Sequence, residues 1–108
     1  MLNVNSKNII IKHNKIDTTD IGCIVLGDSK NNIIEENIIT SKSQCALTLR
    51  GMEVSNNYLI KNILSGASSS NSYRLEPSNC GTTYLDSNII LSGIDENGNG
   101  VVYRTNWV

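Results

Sequence analysis

The sequence predicts an all-β chain in which short strands recur at a nearly constant spacing and stack into a parallel β-helix of about four coils. Three observations predict it. Asn and Ile recur through most of the 108 residues, the apolar runs last only three to five residues, and four segments align on one pattern. A bias of this kind is a reason to look for an internal period before anything else.

The four segments are Asn8-Ile9-Ile10-Ile11-Lys12-His13-Asn14-Lys15-Ile16, Asn31-Asn32-Ile33-Ile34-Glu35-Glu36-Asn37-Ile38-Ile39, Asn56-Asn57-Tyr58-Leu59-Ile60-Lys61-Asn62-Ile63-Leu64 and Thr82-Thr83-Tyr84-Leu85-Asp86-Ser87-Asn88-Ile89-Ile90. Their anchors Asn14, Asn37, Asn62 and Asn88 are separated by 23, 25 and 26 residues. That is a solenoid period, too long for a heptad. A second apolar run follows each anchor: Ile24-Val25-Leu26, Leu47-Thr48-Leu49, Tyr73-Arg74-Leu75 and Val101-Val102-Tyr103. Each run alternates or is β-branched and is bounded by Gly, Ser, Asn or Asp, so each coil carries at least two strands and no helix.

A short strand cannot bury its inward side alone, so successive coils pair by parallel backbone hydrogen bonds. Equivalent positions then stand about 4.7–4.9 Å apart and form columns. The columns Ile11, Ile34, Leu59, Leu85 and Ile16, Ile39, Leu64, Ile90 are aliphatic throughout and are assigned to the core. Between them runs the polar column Asn14, Asn37, Asn62, Asn88. Asn tolerates a left-handed backbone at a bend, and its amide both donates and accepts, so this column is assigned as a structural amide row.

The pattern Asn-x-Ile-x-x-Asn-x-Ile, as in Asn32 to Ile39 and Asn57 to Leu64, resembles the repeat of the pectate-lyase-like right-handed β-helix proteins. The resemblance covers nearly the whole chain. It implies a right-handed single-stranded parallel β-helix over residues 1–108; because neither end shows a polar cap, the chain is expected to be a fragment of a longer β-helix, or else to have its ends covered by another subunit in an assembly. The superfamily includes polysaccharide lyases, polygalacturonase-like hydrolases, alginate epimerases and phage tail spikes. The resemblance therefore implies polysaccharide as partner, while fold analogy does not select a reaction.

Bulk properties exclude several classes. Net charge is −1 with no cluster of Lys or Arg, unlike the basic footprint of a nucleic-acid binder. The apolar runs fall far short of the roughly 20 residues of a membrane span. Residues 1–7 lack the order of a secretion signal. Cys23, Cys45 and Cys80 are spaced for neither zinc nor a disulfide scaffold and are read as buried thiols. No cofactor or metal is expected: Asp95-Glu96-Asn97-Gly98-Asn99-Gly100 has too few acids for calcium and reads as a turn joining strands.

Family enzymes group carboxylates from neighbouring coils. Here Ile60 interrupts the outward column Lys12, Glu35, Ile60, Asp86, and His13, Glu36, Lys61, Ser87 mixes signs, so both read as surface charge rows. His13, the single histidine, with Glu36 as orienting partner is the catalytic candidate, although a lone histidine on a strand edge is usually solvated or structural. Strand alternation sends Ile10, Ile33, Tyr58 and Tyr84 outward, together with Ile38, Ile63 and Ile89. Such an apolar stripe is expected to mark a subunit interface, met by a homotrimer of parallel rods; the competing role is Tyr58 and Tyr84 as a platform for sugar rings. The segment Ser65-Gly66-Ala67-Ser68-Ser69-Ser70-Asn71-Ser72 reads as a surface excursion.

The leading expectation is a structural and receptor-binding segment of a phage tail spike or similar fibre, on a virion or extracellular. The alternative is a fragment of a lyase or hydrolase acting on acidic polysaccharide, with the missing coils supplying acids. An ice-binding surface is disfavoured, because the only threonine pairs are Thr18-Thr19 and Thr82-Thr83. The residues do not choose between binding and cleavage.

Overall fold

In the computed structural model the described residues are 2–5, 7–18, 24–27, 29–42, 45–50, 55–67, 73–75, 81–91, 94–96 and 101–105. Their strands are β1 (Leu2–Val4), β2 (Ile10–Lys12), β3 (Lys15–Thr18), β4 (Ile24–Gly27), β5 (Ile33–Glu35), β6 (Ile38–Ser41), β7 (Leu47–Arg50), β8 (Asn57–Ile60), β9 (Ile63–Ser65), β10 (Tyr73–Leu75), β11 (Thr82–Asp86), β12 (Ile89–Ile90), β13 (Ile94–Glu96) and β14 (Val101–Thr105). There is no helix among the described residues, and so none long and apolar enough to cross a membrane.

The strands form three sheets, ordered β1-β4-β7-β10-β13, β2-β5-β8-β11-β14 and β3-β6-β9-β12. Every pairing is parallel. The chain visits the three sheets in fixed rotation, adding one strand to each before returning to the first. Each segment aligned above splits into two strands, one in the second sheet and one in the third, because a bend interrupts it at residues 13, 36, 61 and 87.

Register places like residues over one another. Ile11 pairs with Ile34, Ile34 with Leu59 and Leu59 with Leu85 in the second sheet. Ile16 pairs with Ile39, Ile39 with Leu64 and Leu64 with Ile90 in the third. Leu47 and Leu49 of the first sheet join these columns in one buried cluster, with Ile16 and Ile90 partly buried at its margin. The core is therefore shared by all three sheets. Alternation decides what enters it: within β5 only Ile34 is buried, and within β8 Asn57 and Leu59 are buried while Tyr58 is exposed.

Three particulars differ from the sequence reading. Val101–Thr105 does not continue the column of Ile24, Leu47 and Tyr73; it pairs with β11 in the second sheet, Tyr103 opposite Tyr84. That step is 19 residues rather than 23–26, so counting by the earlier period placed the run in the wrong sheet. The first-sheet strand of that repeat is β13, whose Ile94, Asp95 and Glu96 pair with Tyr73, Arg74 and Leu75. Asp95 and Glu96 thus belong to a strand, and Asn97 to Gly100 lie outside the described residues.

The third difference is the bend. The left-handed residues are His13, Glu36, Lys61 and Ser87, with φ between 56° and 59° except for Lys61 at 54°, and not the Asn residues that follow them. A non-glycine residue in this region costs about 1–2 kcal/mol, a cost set here against hydrogen bonds made from the bend to the next repeat. Glu36 N–H donates to Ile60 O at 2.9 Å and Lys61 N–H to Asp86 O at 2.8 Å. A second set of left-handed residues, Asn8, Asn31 and Asn56, lies at the entry to the second sheet.

Candidate functional site

Two amide columns fix the outward face of the second sheet at both edges. At its exit, Asn14 Nδ2 donates to Asn37 Oδ1 at 3.2 Å, Asn37 Nδ2 to Asn62 Oδ1 at 3.1 Å and Asn62 Nδ2 to Asn88 Oδ1 at 3.0 Å. The same oxygens accept from the backbone N–H of Asn14, Asn37 and Asn62. The second amide hydrogen turns back to a main-chain carbonyl: Asn37 to Ile11 O, Asn62 to Ile34 O and Asn88 to Leu59 O, at 2.7–2.9 Å. Asn37, Asn62 and Asn88 are fully buried, and an amide is the one short side chain that supplies an acceptor and two donors there.

At the entry a shorter column does the same work. Ile9 N–H donates to Asn32 Oδ1 at 2.9 Å, Asn32 N–H and Nδ2 donate to Asn57 Oδ1 at 3.1 and 3.0 Å, and Asn57 Nδ2 reaches Ser29 O. The sequence reading assigned no role to this column, although Asn32 and Asn57 open the repeated motif. Its signal was the doublets Asn31-Asn32 and Asn56-Asn57. The next position is Thr83, whose buried Oγ1 has no hydrogen-bond partner.

Between these columns the outward face carries an apolar row and a charged row. Ile10 pairs with Ile33, Ile33 with Tyr58 and Tyr58 with Tyr84. Ile10 is 65% exposed and Tyr58 37%, while Ile33 and Tyr84 are half-buried. The rings of Tyr58 and Tyr84 stack with centroids 4.6 Å apart and planes 7° from parallel. Stacking of this kind contributes about 0.5–1.5 kcal/mol beyond area burial and uses one face of each ring. In the third sheet Ile38, Ile63 and Ile89 form a parallel outward row, with Ile38 and Ile89 exposed.

The charged row lies two residues beyond the tyrosines. Lys12 Nζ is 3.0 Å from Glu35 Oε2, and the Glu35 carboxylate, by hydrogen bond and charge, holds the Lys12 ammonium above its ordinary pKa. At the bend His13 Nδ1 is 3.1 Å from Glu36 Oε2, with the two side chains 60% and 38% exposed. Ser87 Oγ donates to Asp86 Oδ1 at 2.8 Å.

The structure thus brings the catalytic candidates His13 and Glu36 together, in contact but in solvent, and sets Glu35 and Asp86 on either side of Ile60. Among the described residues no group of three or more His, Cys, Asp or Glu side chains converges as a metal site would need. Cys45 is buried and in no disulfide; Cys23 and Cys80 lie outside the described residues, as do residues 68–72 of the serine-rich segment.

No protein-family model, curated protein or solved structure matches this chain. Its function is therefore argued from the face itself. That face offers ring edges and hydroxyls, apolar side chains and paired charges in straight rows. It suits contact with another ordered surface or an extended polymer better than enclosure of a small molecule.

Proposed function

We propose that this chain is a stretch of right-handed single-stranded parallel β-helix of the pectate-lyase-like kind. On this reading it serves as a structural, polysaccharide-binding and self-associating segment of a tail spike or similar fibre, on a virion or outside a cell. Support for the β-helix comes from the fixed rotation through three parallel sheets, together with the rule that parallel crossovers in one sheet are right-handed in nearly all cases. The motif Asn-x-Ile-x-x-Asn-x-Ile points the same way.

The observation that carries the functional reading is the outward row Ile10, Ile33, Tyr58, Tyr84, exposed at Ile10 and Tyr58 and half-buried between and beyond them, which continues from repeat to repeat on the outside of the second sheet. Contiguous exposed apolar surface marks a place where something binds. Tyr58 and Tyr84 add phenol hydroxyls at a fixed spacing, which suits hydrogen bonding to a repeating sugar chain. A hydrolytic or lyase reading gains no comparable support, since the carboxylates of this face are spread along it and the His13–Glu36 pair lies exposed at a bend.

The test is retention of the purified chain on a panel of immobilised polysaccharides, neutral and acidic, with release of sugar ends followed in the same samples. Retention on at least one polymer without cleavage, weakened several-fold by Tyr58→Ala, is the expected result. Failure to bind any of them, or cleavage that disappears in His13→Ala, would overturn it.

A further inference from the structure

We infer that the polymer taken by the outward face of the second sheet is a neutral, extended polysaccharide with equatorial linkages, lying along the stack with one sugar ring over each repeat. This rests on the reading of that face as polysaccharide-binding and goes further by naming the class of chain and its direction.

The apolar and aromatic row Ile10, Ile33, Tyr58, Tyr84 has different neighbours on its two sides. On the exit side runs the charged row Lys12, Glu35, Ile60, Asp86. On the entry side stand Asn8, Asn31, Asn56 and Thr82, the three amides exposed and Thr82 half-buried. Asn8, Asn31 and Asn56 share a left-handed backbone, with φ of 60°, 57° and 53°. They are separate from the buried column one residue later, whose Asn32 and Asn57 amides are taken up by other repeats. Each exposed amide offers solvent an acceptor and two donors. In the fifth strand Val101 and Tyr103 take the register positions of Thr82 and Tyr84, so the row of amides and hydroxyl ends at the fourth.

Spacing selects the polymer's shape. Equivalent atoms recur about every 4.7–4.9 Å along the stack, the separation of paired strands. An extended, equatorially linked chain of six-membered sugars advances by nearly the same length per ring, so ring after ring meets the same set of groups. An axially linked chain coils and soon leaves the row. Laid across the strands instead, even an extended chain would pass from the apolar row over the charged one to the bend. The Tyr58 and Tyr84 rings, 4.6 Å apart and 7° from parallel, cover one face of each other. The polymer therefore meets ring edges and phenol oxygens on one side and amides on the other, a pairing suited to sugar hydroxyls.

Charge selects neutrality. Among the described residues the charged groups of this face and its two edges are Lys7, Lys12, Lys30 and Lys61 against Glu35, Glu36 and Asp86. Lys12 and Glu35 neutralise each other at 3.0 Å. Beside the tyrosines the entry side, Ser55, Asn56 and Thr82, carries no charge, and the exit side carries one of each sign, Lys61 and Asp86. A polymer charged on every ring is attracted at one repeat and repelled at the next, whereas a neutral one meets neither force.

Titration of the intact chain with cello-oligosaccharides, from the disaccharide to the hexasaccharide, followed by amide NMR shifts, tests this. Malto-oligosaccharides, of the same sugar but axially linked, and cello-oligosaccharides oxidised to uronic acids are run beside them. The neutral cello-series is expected to bind tightest, its affinity rising with each added ring until the row is filled, with shifts centred on Asn56 to Ile60 and Thr82 to Asp86. Tyr58→Phe and Asn56→Gly should each weaken binding several-fold. Glycine accepts the left-handed backbone without strain, so Asn56→Gly removes the amide and keeps the fold, which circular dichroism checks. Tighter binding of the malto-series or of the oxidised series, an affinity that does not grow with length, or undiminished binding by both variants overturns this inference and leaves the polysaccharide reading standing. Binding of no oligosaccharide at all also overturns it, and the polysaccharide reading falls with it only where the immobilised polymers retain nothing either.

Discussion

Asn37 donates both its backbone N–H and its Nδ2 to a single atom, Oδ1 of Asn62, at 3.0 and 3.1 Å, across a separation of 25 residues. One side-chain oxygen of each repeat thus satisfies two donors of the repeat before it, and the other amide hydrogen caps a buried carbonyl. The bend between the second and third sheets is closed by hydrogen bonds between repeats, not within one.

Asn62 is therefore the residue whose loss should be felt most. Asn62→Ala removes the acceptor of two Asn37 donors and the donor to Ile34 O and Asn88 Oδ1, all buried. A buried polar group left without a partner costs about 1–3 kcal/mol, so a loss of about 3 kcal/mol or more is expected in urea unfolding. Asn62→Asp, which keeps the acceptor and loses the donors, should also destabilise. A change under about 0.5 kcal/mol in both would contradict the assignment of the column.

Thr83 invites the opposite experiment. Its Oγ1 is buried without a partner at the position that follows Asn57 in the second amide column. Thr83→Val removes the unpaired hydroxyl at nearly constant shape and should stabilise by about 1 kcal/mol. Thr83→Asn should do so as well, by giving the column a further rung. Thermal unfolding of the two variants beside the parent measures this, and a lowered midpoint in both would refute it.

At the bend, Lys61 holds φ at 54° although its side chain is exposed. Asn occupies left-handed backbone more readily than Lys, so Lys61→Asn should stabilise the monomer by some tenths of a kcal/mol up to about 1. Measured at low micromolar concentration by chemical denaturation, the midpoint should rise with an unchanged slope.

Lys12 carries the pH dependence of the outward face. Glu35 raises its pKa in the folded chain above the ordinary 10.5. A group whose folded pKa is raised contributes stability that is complete below its unfolded pKa and is lost as pH climbs through the folded one. The Lys12–Glu35 contribution should thus be constant through neutral pH and fade as pH climbs above 10.5. A titration of Lys12 by NMR should return toward the ordinary value in Glu35→Gln. An unchanged Lys12 titration in that variant would show that Glu35 is not the cause.

Much of this architecture was legible before any coordinates. The inward columns of Ile34 and Leu59 follow from alternation along a strand, and the vertical match of Asn37 to Asn62 from an even spacing between repeats. Both are regularities of chain order. The catalytic candidates His13 and Glu36 could be paired in the same way, since equivalent places in adjacent repeats are neighbours. The burial of Asn32 and Asn57 was open to the same reasoning, since each stands two residues before an inward Ile34 or Leu59, but a polar side chain ahead of the apolar run was not counted with the core side.

What the chain order determined by itself was which side of each strand is apolar and which residues share a column, since side-chain direction alternates strictly along an extended backbone. Only the tertiary structure decided which bend residue becomes left-handed, because His13, Glu36, Lys61 and Ser87 have no common chemistry and the conformation is imposed by bonds to the next repeat. It also decided that β14 joins the second sheet, because the length of one connection altered the period while the pairing of exposed strand edges, and not the count of residues, chose the partner.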